Sequence, residues 1–270
     1  MTQPMLQPVP HGESRCTHIS SPANPLIRAL RRLSQTSTAY RKQGQVWLEG
    51  DHLCSAARAR GIQPELAVFC ESFWPLAQSE WAHTAIKNIV IPDSLMREVS
   101  TLDSPASMGF VIDLPLGAPL QPHAPSIILD RLQDAGNVGS IMRSAAAFGF
   151  VQVIALTGTA ALWSPKVLRA GMGAHFGLAL HEGVDIDVLA ALTVPVAVTS
   201  SHQGQLLHEA RLPMPCAWVF GHEGQGASDA LMARSSLQVR IAQPGGEESL
   251  NVAAAAAICL YASSLVRSPA

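Results

Sequence analysis

The sequence predicts an α/β protein of two modules, a small one followed by a larger one built on a parallel sheet with helices on both faces. Three observations predict it. Short runs rich in β-branched and aromatic residues alternate with stretches of helical apolar spacing along most of the chain. A single segment breaks that alternation, because Pro115, Gly117, Pro119, Pro122 and Pro125 make it stiff and unable to form a helix. With 48% apolar and 14% charged residues in 270, the chain has enough hydrocarbon for real cores.

Residues 1–16, rich in Gln and Pro and without periodicity, read as a flexible tail. From Asn24, the residues Leu26, Ile27, Leu30 and Leu33 keep helical spacing and leave Arg28, Arg31 and Arg32 on the opposite face, a basic amphipathic helix. Val46-Trp47-Leu48 reads as a strand, Asp51 to Arg60 as a helix stopped by Gly61, and Leu66 to Phe69 as another strand. An apolar strand from Gly109 to Leu114 closes the first module, assigned to residues 17–114, and residues 115–125 form the linker.

The second module, residues 126–270, opens on the buried-strand run Ile127-Ile128-Leu129. It continues through a helix from Val138 to Phe148, a strand from Val151 to Leu156, a helix after Pro165 and a strand from Gly177 to Leu180. A helix from Ile186 to Leu192 follows, then strands at Val194–Thr199, Ala217–Phe220 and Leu237–Ile241. A long Ala-rich helix from Leu250 to Leu265 ends the pattern, and it reads as buried within the protein and too interrupted to span a membrane.

Five cysteines are scattered without any C-x-x-C, which indicates neither a disulfide frame nor a zinc site. No charged stretch leads into an apolar run of signal-peptide length, so a soluble cytoplasmic protein with reduced thiols is expected. The net charge of −2 hides an asymmetry: residues 1–60 carry +5 and the remainder −7. Arginine outnumbers lysine 15 to 3, which suits phosphate forks and base stacking. Both point to a nucleic-acid surface in the first module, although a solvated helix face has the same composition.

Three segments carry the chemistry. The first, Asn137-x-Gly139-x-x-x-Arg143, leads from a strand through a loop into a helix, with Asn137 or a neighbour as the cap. Its Gly136-x-x-Gly139 spacing does not match a dinucleotide-binding turn. The second, Gly221-His222-Glu223-Gly224-Gln225-Gly226, puts three glycines within six residues, so the backbone can approach a ligand closely. His222 and Glu223 have no further ligand at metal spacing. The third, Ser249-Leu250-Asn251-Val252, follows a glycine-rich loop and opens the Ala-rich helix, with Ser249 or Asn251 as its cap. Each alone also fits a plain turn or a capped helix. Their order is what distinguishes them.

In that order and spacing the three segments resemble the three motifs of the SpoU (TrmH) class of SPOUT RNA 2'-O-ribose methyltransferases. Ser21-x-x-Asn24-Pro25-Leu26 and Arg41-Lys42-x-Gly44-x-Val46-x-Leu48-Glu49-Gly50 are similar to that family's N-terminal substrate-binding domain, which resembles ribosomal protein L30e. Pro165-x-Val167-x-Arg169-Ala170-Gly171-x-Gly173 is a further family-like stretch, with Gly171 where a serine is usual. The chain also has Ile241-Ala242-Gln243 where Ile-Pro-Met is usual, and Ala253 where a serine is common.

The resemblance implies a C-terminal deep trefoil knot, an exception to the near absence of knots. It implies that S-adenosylmethionine binds there, with Gly221, Ile241 and Leu250 lining the adenosine pocket, and that the protein is a homodimer through this domain. RNA, most readily 23S rRNA, would be held through Arg28, Arg31, Arg32, Arg41 and Lys42, without a membrane or a metal. Arg143 is implied to be catalytic. Because a guanidinium stays charged, gripping a phosphate and stabilising the developing alkoxide suits it better than acting as a literal base. Asn137 would orient Arg143 or the ribose, Glu223 would hold its loop or contact substrate, and Ser249 and Asn251 would complete the pocket. A tRNA 2'-O-methyltransferase and a non-catalytic RNA-binding assembly factor are the alternatives. The second has no reason to keep Asn137, Arg143, Glu223 and Asn251 together.

Overall fold

The computed structural model describes residues 16–201, 203–245 and 249–266. The expected tail over residues 1–15 lies outside them. Position 16 itself does not belong to a tail, since Cys16–His18 forms strand β1.

The first sheet is mixed, in the order β1-β4-β3-β5-β2. After β1 come helix α1 (Pro25–Gln35), the short helix α2 (Ala39–Gln43) and strand β2 (Gln45–Glu49). Helix α3 (Asp51–Ala59), strand β3 (Leu66–Cys70), helix α4 (Trp74–Trp81) and strand β4 (Lys87–Ile91) follow. Helix α5 (Asp93–Val99) and strand β5 (Met108–Asp113) complete the module. Asn24 caps α1 by accepting from the Leu26 amide at 2.9 Å, and Pro25 at the first helical position loses no hydrogen bond there. Ile27, Leu30 and Leu33 are buried while Arg28 and Arg32 are exposed, as the spacing required. The elements β1, α2, α4, β4 and α5 were not anticipated. β4 is an alternating-free apolar run and α4 has little amphipathic character, so neither carries a periodic signal.

The second sheet has seven strands, all parallel, in the order β10-β12-β9-β11-β6-β7-β8. Its elements are β6 (Ser126–Asp130), α6 (Ala135–Ala147), β7 (Gln152–Leu156), α7 (Pro165–Gly171) and β8 (Ala179–Val184). They continue with β9 (Val196–Thr199), β10 (Gln205–Leu206), β11 (Ala217–Gly221), α8 (Asp229–Arg234), β12 (Leu237–Arg240) and α9 (Val252–Ser264). Successive side chains on a strand face opposite ways, and the central strands are apolar on both sides. Ile127, Leu129, Trp218 and Phe220 therefore enter one core with Val138, Ile141 and Leu260, while Ile128, Val198 and Val219 enter another with Leu231. The segment expected as a helix at residues 186–192 is a 3₁₀ turn, Ile186–Ala191.

Helix α9 corrects an expectation. It is not buried all round: Ala256, Cys259, Leu260 and Ser263 face the core, where Ser263 Oγ accepts from the Trp218 indole at 2.8 Å, but Ile258, Tyr261 and Leu265 are exposed. Among the described residues, no helix is long and apolar enough to cross a membrane.

Candidate active site

Because every strand of the second sheet runs the same way, the loops leaving β6, β11 and β12 emerge along one edge, where open α/β sheets bind ligands. Those three loops are the three sequence segments.

Asp134, not Asn137, caps α6, accepting the Asn137 amide on Oδ1 at 2.8 Å. Asn137 sits in the first turn, and its side chain is free to bond sideways. Its Nδ2 donates to Glu223 Oε1 at 3.2 Å, and its Oδ1 accepts from Asn251 Nδ2 at 3.0 Å. Glu223 also accepts the backbone amides of Gln133 at 3.3 Å and Asp134 at 3.1 Å. Asn251 is the cap of α9, accepting from the amides of Ala253 and Ala254 at 2.9 and 3.3 Å. A continuous relay, Glu223 to Asn137 to Asn251, thus ties all three segments together. Its polarity is fixed, since a carboxylate only accepts while each amide donates on one atom and accepts on the other.

The electrostatics follow from these bonds. Partial burial pushes the Glu223 carboxyl up, but its amide donors outweigh this and hold it below the usual glutamate range. Asp134 is lowered chiefly by the Asn137 amide and then by Lys166, whose Nζ lies 3.2 Å from Oδ2. Behind the loops, the nearly buried Asp130 accepts from the Arg131 guanidinium and from the Ser228 amide at 2.7 Å, and Arg131 reaches Gln225 Oε1 at 3.2 Å.

Arg143 stands apart from this network. It lies six residues beyond Asn137 on α6, about 9 Å along the axis, and is exposed. Among the described residues no ion pair or hydrogen bond is made by its side chain, and Asn137 bonds instead to Glu223 and Asn251. α6 is itself held against α7 where Gly139 crosses it: a Cβ there would sit 2.5 Å from Ala170 Cβ and 2.6 Å from the Val167 carbonyl oxygen.

Residues 124–261 match the SpoU rRNA methylase family, and residues 24–109 match an MRM3-like substrate-binding domain. The chain belongs to the SpoU rRNA methylase family. Among its relatives, an uncharacterised tRNA/rRNA methyltransferase of Synechocystis is 32% identical over 90% of this chain and 92% of its own. RlmP of Bacillus subtilis, a 23S rRNA guanosine 2'-O-methyltransferase, is 29% identical over 90% of this chain and 97% of its own. A TrmH-family RNA methyltransferase structure from Porphyromonas gingivalis superimposes with a TM-score of 0.77 at 31% identity, covering 88% of this chain and 96% of that one. This SpoU family member is accordingly an RNA methyltransferase, and the SpoU methyltransferase AviRb of Streptomyces viridochromogenes, which shares its fold, binds S-adenosylmethionine as cofactor.

The residues expected to hold the cofactor fit such a group. A Cβ on Gly221 would lie 2.1 to 2.4 Å from backbone atoms of Gly226 and Ala227, so only glycine allows this loop to fold back and present its backbone. Leu250 is exposed and Ile241 half-buried, apolar surface at the mouth of the same loops. Gln243 Oε1 is buried there with no hydrogen-bond partner among the described residues, an acceptor left for a ligand donor. Ser249 is exposed. Among the described residues no cluster of His, Cys, Asp or Glu could hold a metal ion.

The five expected RNA contacts separate into two sets. Arg41 is committed to Glu182 of β8, and Arg31 pairs with Glu98. Arg28, Arg32 and Lys42 are exposed and, among the described residues, carry no ion pair. Arg28 and Arg32, one turn apart, line an open cleft of about 400 Å³ with Pro25, Ala29 and Gln43. Asp134, Lys166, Arg131 and Glu182 were missed in the sequence, because each is a charged residue in a polar stretch until its partner is known. Only Asp134, three residues before Asn137, had a readable signal, that of a helix cap.

Proposed function

We propose that this SpoU methylase transfers a methyl group to a ribose 2'-hydroxyl of 23S rRNA, acting as a cytoplasmic homodimer whose catalytic domain is tied in a deep trefoil knot. The relay Glu223–Asn137–Asn251 carries the reading, because it gathers residues 114 positions apart at one mouth, while Arg143 lies exposed two turns further along α6.

Bound S-adenosylmethionine supplies an electrophilic methyl group, and Gly221, Ile241, Gln243 and Leu250 would hold it. The protein's own task is then to orient the 2'-hydroxyl and manage its proton. Arg143 offers its guanidinium to the adjoining phosphate and to the alkoxide as it forms, and the proton passes to phosphate or water. The relay keeps the three loops in one register, so that the pocket is built before RNA arrives. Ser249 completes the rim, and Arg28, Arg32 and Lys42 of the first domain neutralise rRNA phosphates.

Two features support the rest. Helix α9 follows β12, near one edge of the sheet, yet packs against α6 and β11 nearer its middle, a return of the chain that a knot requires. Ile258, Tyr261 and Leu265 form an exposed apolar surface along α9 and its end that a second copy would cover. The test is Arg143→Ala, which is expected to keep S-adenosylmethionine affinity and abolish methyl transfer to 23S rRNA. Transfer at the wild-type rate would overturn the assignment.

A further inference from the structure

The structure assigns Glu182 as a positioning residue that locks the RNA-binding domain onto the catalytic domain through Tyr40 and Arg41, and so fixes where bound RNA is presented to Arg143. This rests on the rRNA methyltransferase reading above.

Glu182 lies on β8, the edge strand of the catalytic sheet, where Tyr40 and Arg41 of the first domain reach it. Tyr40, on α2 of the other domain, is buried, and its hydroxyl lies 2.5 and 2.7 Å from the two Glu182 oxygens. The Arg41 guanidinium pairs with the same carboxylate and contacts the Tyr40 hydroxyl at 3.3 Å. Both Glu182 oxygens are thus engaged by the other domain. Burial first, and then the bond to Glu182, pushes the Tyr40 phenol up, so it stays a donor at any working pH.

The rest of the seam is steric. Gly173, at φ +85°, would carry a Cβ only 2.4 Å from Ala56 Cβ, and a Cβ on Gly177 would sit 2.9 Å from the Arg60 guanidinium. Arg169 of α7 donates to Thr101 at 3.4 Å. These contacts let α3 and the loop before β5 approach closely, but none is directional enough to set an angle. The carboxylate with two donors is. The seam ends on α7, which packs on α6, the helix of Arg143, so the domain that grips phosphates is registered against the residue that meets the reacting ribose.

A lock of this kind makes a specific pattern. The free cations that bind RNA are Arg28, Arg32 and Lys42, so breaking the lock leaves RNA affinity intact, and releasing Arg41 tightens it. What falls is the rate at which correctly bound RNA reaches the reactive geometry. The experiment compares wild type with Glu182→Ala, Glu182→Gln and Tyr40→Phe on a 23S rRNA transcript that the wild-type protein methylates. It reads RNA affinity, S-adenosylmethionine affinity and the single-turnover rate at saturation in both. Expected is a single-turnover rate about tenfold lower for Glu182→Ala, with a smaller loss for Glu182→Gln, whose amide oxygen still accepts from Tyr40. Cofactor affinity should be unchanged, RNA affinity equal or higher, and hydrogen exchange faster in residues 39–45 and 179–184. An unchanged single-turnover rate in Glu182→Ala overturns the assignment. So does a parallel loss of cofactor affinity, which would mark general unfolding. If the wild-type protein methylates no rRNA, the underlying functional reading has failed instead.

Discussion

Protonation of His175 offers a measurable test of how tightly α7 is packed. The ring is buried between Trp163 and Phe176, its Nε2 lies 2.8 Å from the Leu162 carbonyl oxygen, and its Nδ1 has no partner among the described residues. Nε2 is therefore the protonated nitrogen, and charging the ring would put a second N–H into a dry site. Burial lowers its pKa from 6.5 to about 4, against a smaller opposing effect of the Leu162 carbonyl. A folded value below the unfolded one means that the unfolded chain takes up the proton first. The stability that the neutral ring confers is complete above pH 6.5 and is lost as pH falls from there towards 4. The whole window is worth about 3 kcal/mol, and the part between pH 7 and pH 5 about 2 kcal/mol. The perturbation is His175→Gln, whose amide keeps a donor for Leu162 but does not titrate. Urea unfolding of both proteins at pH 7 and pH 5 is the assay, and the difference between them cancels the carboxylates that also titrate. Wild type should lose about 2 kcal/mol more than His175→Gln over that interval. Equal losses would refute the burial argument.

Three further outcomes follow from the geometry. Asn251→Asp keeps an acceptor for the amides of Ala253 and Ala254, so α9 stays capped, but replaces the donor to Asn137 with a second acceptor. Thermal stability should change by less than about 1 kcal/mol while methyl transfer falls at least about tenfold, measured by melting and by labelled-methyl incorporation. Gly139→Ala drives a methyl group into Ala170 and the Val167 carbonyl and should cost about 2–3 kcal/mol, seen as a lower urea midpoint. Tyr261→Glu places a charge on the exposed apolar face of α9 and should convert a dimer to monomers in sedimentation, while an unchanged mass would remove that face as the interface.

Much of the site was legible in one dimension. A helix cap, a glycine turn and a basic residue each also fit a plain capped helix or turn, so Asn137, Glu223, Asn251 and Arg143 were singled out by the order of their segments and the family resemblance that this order carries. The cap of α6 was misplaced by three residues, because Asp134 and Asn137 are both good caps and only backbone dihedrals distinguish them. Arg41 was grouped with the RNA-binding cations because a sequence shows a charge and not its partner; Glu182 is 141 residues away.

The sequence by itself determined what depends on near neighbours: the alternation of strands and helices, the proline-rich joint, the basic face of α1 and the three loops that follow strands. Helical and strand periodicity, capping and turn chemistry act within a few residues, so they can be read in a row of letters. Tertiary structure alone decided which polar groups met. It made Asn137 the middle of a relay, turned one face of α9 outward, paired the exposed Arg41 with Glu182, and left Arg143 exposed on α6. Such pairings are set by how parallel strands stack their loops along one edge and by how two domains close on each other, and these distances have no counterpart along the chain.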